Sequence, residues 1–164
     1  MRDHFVLFSH YNLWANRLLY TAVGALPAEE IVRDRQGFFR SILGTLNHGL
    51  LADRLWLARM RKEDHDWFLT LDQILYTDFT ELRTAREETD RAILEAIPDL
   101  PLRGELAYTN AKGESARAPW TVILGHIFNH QTHHRGQVHG MLSQAGHHPP
   151  QLDLLYFPRD SFHP

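Results

Sequence analysis

The residues best suited to chemistry crowd into one segment near the C-terminal end. Twelve histidines are present, and His126, His130, His133, His134 and His139 fall together there. His130 and His134 are four apart, so on a helix they stack one turn above the other and face the same way. The apolar stripe of that helix runs through Ile123, Ile127, Val138 and Met141, and positions 130 and 134 lie on it. Two inward imidazoles are costly to bury without partners, and one cation shared between them would satisfy both. The same spacing presents two nitrogens to one ion in the zinc-protease helix. Here Gln131 stands where that motif carries its glutamate base, which excludes the protease reading.

A third ligand has to come from a facing helix. His48 shares a face with Gly44, Leu51, Ala52 and Leu55, all apolar or small. It is either a satisfied core histidine or the third ligand, and spacing alone leaves both open. His126, one turn before His130, is either a further ligand or a supporting donor, and His133 is a supporting donor or a surface residue. Asn129 and Gln137 are expected to orient ligands or substrate. His4, His10, His65, His139, His147, His148 and His163 are expected at the surface. Three neutral imidazoles would leave open coordination positions, the layout of a reactive site. Nitrogen-only ligation points to zinc or nickel, with iron, cobalt and copper as alternatives. The chain has no cysteine, so disulfides, thiolate zinc sites and a cysteine nucleophile are excluded.

Four helices are predicted to carry these residues. The first spans about Asp3 to Ala25, with one stripe of Phe5, Phe8, Ala15, Leu19 and Ala22 and a second of Leu7, Tyr11, Trp14 and Leu18. A band that wide suits two neighbours, or one neighbour and a second subunit, so a homodimer through Trp14 and Leu18 is expected. The second spans about Phe39 to Arg61, burying Leu43, Leu46, Leu50, Leu57 and Met60. The third begins between Leu71 and Thr77 and ends before Pro98. Its buried stripe is Phe79, Leu82, Ala85, Thr89, Ile93 and Ala96, and its exposed face is Glu81, Arg83, Arg86, Glu87 and Glu88. The last runs from Pro119, suited to a first helical position, to Gly146, before Pro149 and Pro150. Gly44 and Gly136 are expected to let the second and last helices approach closely. Between Pro101 and Pro119, Asn110 and Gly113 are turn residues, and a short hairpin or ordered loop is expected. The tail from Gln151 to Pro164 carries Leu152, Leu154, Leu155, Tyr156 and Phe157 and is expected to pack back on the helices.

The fold class is therefore all-α, a four-helix bundle with long crossover connections and a short hairpin or loop before the last helix. A single domain over 1–164 is expected, since no repeat, linker or low-complexity stretch divides the chain. A net charge of −3 gives no footprint for nucleic acid. No stretch reaches ~18 apolar residues, so no membrane span is expected. The opening Met1-Arg2-Asp3-His4 lacks the pattern of a signal peptide, and the cytoplasm is the expected compartment.

The run Leu124-Gly125-His126-Ile127-Phe128-Asn129-His130-Gln131-Thr132-His133-His134-Arg135-Gly136-Gln137, with Asn47-His48 and Ala52-Asp53-Arg54-Leu55-Trp56-Leu57 upstream, resembles the DinB/YfiT superfamily. Tyr108-Thr109-Asn110 with Gly113, and Pro149-Pro150-Gln151-Leu152-Asp153-Leu154-Leu155, extend the likeness over nearly the whole chain. This is the damage-inducible bundle family, not the polymerase that shares its name. The resemblance implies a four-helix bundle, often dimeric, with a divalent metal on His48, His130 and His134. It further implies a metal-dependent S-transferase or isomerase that uses a low-molecular-weight thiol on a small electrophilic substrate. A non-catalytic metal or small-molecule binding protein of a stress response is the reading from another class. A metal-hydroxide hydrolase ranks below both, because no carboxylate base stands beside the ligands; Asp53 falls on another face than His48.

Overall fold

A computed structural model, which describes residues 1–158, has four long helices: α1 Arg2–Gly24, α3 Ile42–Arg61, α4 Phe79–Ala96 and α5 Trp120–Gln144. A short α2, Ala28–Val32, lies in the first connection, and strands β1 Glu105–Thr109 and β2 Ser115–Pro119 form an antiparallel hairpin before α5. No helix among the described residues is long and apolar enough to cross a membrane.

Side-chain pairs set the directions. Asn12 bonds Asp90 while Arg83 bonds Thr21, so α1 and α4 are antiparallel. Phe5 meets Phe128 and Asn16 meets Arg135, so α1 and α5 run together. His48 meets His130 while Trp56 meets His126, so α3 and α5 are antiparallel. Helices α3 and α4 then point the same way. A helix of 20 residues is about 30 Å long, and residues 62–78 must return that distance before α4 begins. This is the long crossover, and it runs back along α3: the Asn47 amide oxygen accepts from Leu75 and Tyr76 backbone N–H at 2.9 Å each. The hairpin also matches the expectation, Gly113 turning it at φ 81° with the Asn110 side-chain oxygen accepting from Lys112 and Glu114 N–H.

The apolar core has two main parts. One joins Leu19, Val23, Leu46, Leu50, Leu82, Val138 and Leu142; the other joins Phe5, Leu57, Ile93, Ile123, Leu124 and Ile127. Between them lies a buried polar layer. Arg86, 3 % exposed, ion-pairs with Asp53 and Asp90 at 2.9 and 2.8 Å. Asn12 and Asn16 donate to Asp90, and Arg135 donates to both asparagine oxygens. Arg86 was expected on the exposed face of its helix and is instead at its centre. Leu82, Arg86, Thr89 and Ile93 are one inward stripe, and Asp53 from α3 with Asp90 from the next turn of α4 make the burial of the cation tolerable.

Three other expectations change. The second long helix begins at Ile42, not Phe39, because Ser41 caps it by accepting from Gly44 N–H at 3.0 Å. Arg40, at φ 68°, turns the chain ahead of the cap and leaves Phe39 outside the helix. Gly44 and Gly136 do not serve the α3–α5 contact: a Cβ at Gly44 would lie 2.1 Å from the Phe39 carbonyl oxygen, and one at Gly136 would meet nothing. The close approach is at Gly49, against Gln131. In the tail, Phe157 is buried against Tyr11 and Trp14 with Leu152 beside them, whereas Leu155 and Tyr156 are exposed. Trp14 and Leu18 are half-buried, Trp14 under the chain's own Phe157.

Candidate metal centre

The structure brings His48 on α3 together with His130 and His134 on α5, their ligand atoms all within 4.8 Å of one another. The Nε2 atoms of His48 and His134 each stand 3.0 Å from Nε2 of His130. Each outer ring is fixed by its other nitrogen. His48 Nδ1 donates to the Leu71 carbonyl at 2.7 Å, and His134 Nδ1 donates to the Gln137 side-chain oxygen at 2.8 Å. A neutral imidazole has one N–H, so both Nε2 atoms are bare lone pairs. His130 Nε2 carries one proton at most, so it can donate to only one of them, and the other lone pair is left facing a nitrogen that offers it no proton. A cation at the centre removes the conflict. Two nitrogens on a tetrahedral zinc ion stand about 3.3 Å apart, close to the spacing found here. The donor set fits a divalent cation.

The rings are held by elements far apart in sequence. Phe39, turned out of the helix by Arg40, stacks on His48 at 3.9 Å between ring centres. The crossover supplies the Leu71 carbonyl. Gln137 also donates to His133 Nε2 at 3.1 Å, so His133 braces the site through Gln137 while its own ring is exposed. His126 is exposed, its ring 5.4 Å from that of His130, and it lines the cavity outside the three-histidine group. Asn129 is exposed and lines no part of that cavity, a correction to its expected orienting role: it falls on the outer side of α5, away from positions 130 and 134. His4 and His148 are exposed, and His10, His65, His139 and His147 are half-buried; His163 lies outside the described residues.

A cavity of about 360 Å³ opens onto the three rings. Its walls are mostly apolar, with Leu51, Leu55 and Trp56 from α3, Phe68 and Leu71 from the crossover, and Ala111 from the hairpin tip. Among the described residues no aspartate or glutamate lines it. Asp53 faces the other way, ion-paired with Arg86 and accepting from Gln131 at 2.8 Å. Gln131 also donates to the Gly49 carbonyl, which ties α5 to α3 directly behind the histidines. Gln131, Arg86, Asp90, Arg135, Asn12 and Asn16 escaped the sequence reading because the search followed apolar residues. The signal was there: Phe5, Ser9, Asn12, Asn16, Leu19 and Val23 keep the three-four spacing of an inward stripe.

With the geometry in place, comparison with known proteins gives a consistent picture. A sequence model of the DinB family matches residues 1–161. The chain belongs to the DinB family. It is 29 % identical over 154 residues to the protein DinB of Bacillus subtilis (strain 168), covering 90 % of this chain and 89 % of that one. It is also 26 % identical over 140 residues to the uncharacterized protein YizA of the same organism, with 80 % and 81 % covered. A DinB-family bundle with a buried three-histidine group fits a metal-binding protein.

Burial, then repulsion from the neighbouring imidazoles, holds His130 down to about 3, from an ordinary 6.5. Burial holds His134 down to about 4 and lowers His48 despite its bond to Leu71. The metal-free folded protein therefore binds fewer protons than the unfolded chain below about pH 6.5. Its stability is lost as pH falls through that window toward the depressed values. Protons also compete with metal only near those values. Zinc affinity, measured against a chromophoric chelator, is expected to hold steady from pH 7 to about 5 and then fall steeply. A decline that starts at pH 6.5 would show that the rings are not shielded from water.

Proposed function

We propose that this DinB-family protein is a metal-dependent enzyme that joins a low-molecular-weight thiol to a small electrophile, or uses the thiol to isomerise one. His48, His130 and His134 would hold the cation, zinc or nickel first. The observation that carries the reading is the apolar cavity that opens onto three convergent Nε2 atoms. Its volume suits a small organic ligand, and its walls exclude water from whatever reacts there. A divalent cation bound there would keep open positions and lower the pKa of a ligated thiol. Leu71 and Gln137 keep the protons of His48 and His134 on Nδ1, so the lone pairs face inward. The Trp56 and Phe68 side chains offer an apolar surface to the electrophile. Because no carboxylate lines the cavity among the described residues, a hydrolase would find no general base there, and the thiol reading is favoured over it.

The test is consumption of bacillithiol, mycothiol or glutathione against a panel of electrophiles, with metal-loaded and metal-free protein side by side. Faster loss of thiol with the loaded protein is expected. Equal rates would leave a non-catalytic binding protein in its place. The proposal takes the chain as one domain, cytoplasmic, with a small-molecule substrate and no nucleic-acid partner. It also takes it as a homodimer that uses the uncovered parts of Trp14 and Leu18. Sedimentation that finds only monomer would remove that last element.

A further inference from the structure

Arg59, in the last turns of α3, is a buried cation with no ion-pair partner among the described residues. It is 8 % exposed. The other buried guanidiniums are better served: Arg86 has two aspartates within 2.9 Å, and Arg135, which also lacks an ion pair among the described residues, donates to the side-chain oxygens of Asn12, Asn16 and Thr132. Arg59 donates once, from Nη2 to the Thr109 carbonyl at 2.6 Å. Its guanidinium carbon rests 4.8 Å from the Trp56 ring centre and 5.1 Å from that of Tyr108. Its Nε is enclosed with no hydrogen-bond partner, and among the described residues no carboxylate ion-pairs with it. A guanidinium stays protonated in a protein, and a buried charge left unpaired is costly. Two ring contacts and one carbonyl are weak compensation.

Its position says what would complete it. Arg59 lines the histidine cavity and also a groove of about 650 Å³ between the hairpin and the end of α3. Lys62, His65 and Arg117 line the groove as well, against one acid, Glu63. We propose that Arg59 is an anion anchor: a carboxylate on the substrate or on the thiol enters through the basic groove, pairs with Arg59 and directs the rest of the molecule into the histidine cavity. The planar fork of N–H groups suits a carboxylate. The destination of the reactive end rests on the function proposed above; the anchor itself needs no metal.

The test is calorimetric titration of metal-free and metal-loaded protein with glutathione, glutathione diethyl ester and succinate. Glutathione is expected to bind at least about tenfold more tightly than its ester, with or without metal. Arg59→Gln is expected to abolish the preference, and Arg59→Lys to keep part of it. Because Arg59 is buried, the Nε–H resonance of the unsubstituted protein gives a second readout: it should shift with glutathione and stay put with the ester. Succinate that competes with glutathione places the anion on the electrophile; binding of glutathione alone places it on the thiol. Equal binding of acid and ester, a preference that survives Arg59→Gln, or no binding of any probe would overturn the anchor. Persistence of the preference in metal-free protein keeps this result separate from the fate of the metal reading.

Discussion

A His130→Ala, His134→Ala double variant is expected to purify without stoichiometric metal. Both α5 donors are gone, and His48 alone holds a divalent ion poorly, so affinity should fall by at least about a thousandfold. The fold should persist, since the two rings line a cavity wall and the apolar stripe of Ile123, Ile127, Val138 and Met141 is untouched. Melting separates the two effects. Metal at about 100 times its Kd adds about 2.7 kcal/mol to stability. In a chain of this size that raises Tm by about 5–10 °C. The original protein should show the rise and the double variant should not. Gln137→Ala is expected to sit between them, with a loss of about 10- to 100-fold, because it frees the His134 ring without removing a donor. Metal that remains bound at one equivalent to the double variant, in untagged protein, would move the site elsewhere.

Arg86→Met should be among the most destabilising single substitutions away from the histidines. Asp53 and Asp90 have side chains 1 % exposed, and Arg86 is the cation in ion-pair contact with both. Removing one partner of a buried pair costs about 3–5 kcal/mol, against a total stability of about 5–15 kcal/mol. Burial already pushes Asp90 up to about 6, with Arg86 opposing it. Without the guanidinium both carboxyls rise further. Groups with raised folded-state values bind protons in the native state before the unfolded chain does, so they lose stability as pH rises. The deficit of the variant relative to the original should therefore be largest at neutral pH and smaller near pH 5. Urea unfolding at the two pH values measures it. A difference below about 1 kcal/mol at pH 7 would mean that the polar layer is hydrated or differently paired.

The same layer shows where the sequence could be read and where it misled. Leucine and isoleucine stripes at helical spacing announced four helices, because a helix in water must cover one apolar face. The i, i+4 histidines announced a site for a related reason: two imidazoles on such a face need a partner. Arg86 was misassigned because a charged residue on a stripe and one on a surface are written with the same letter. Asp90 stands one turn along the same helix and is local, but what separates the two cases is whether Asp53 arrives opposite, and that depends on helices brought together from distant parts of the chain. That no carboxylate among the described residues ion-pairs with Arg59 was invisible for the same reason.

The sequence by itself determined the helices, the hairpin turn at Asn110 and Gly113, the family, and the three histidines as candidates. These follow from local spacing, turn chemistry and residue type, all short-range properties. Tertiary structure decided that the three Nε2 atoms meet, that Leu71 and Gln137 leave two of them unprotonated, and that Asn129 stands outside. It also decided that a polar layer lies behind the histidines. Such facts depend on how α3, α5 and the crossover are placed against one another, and packing between distant segments sets that placement.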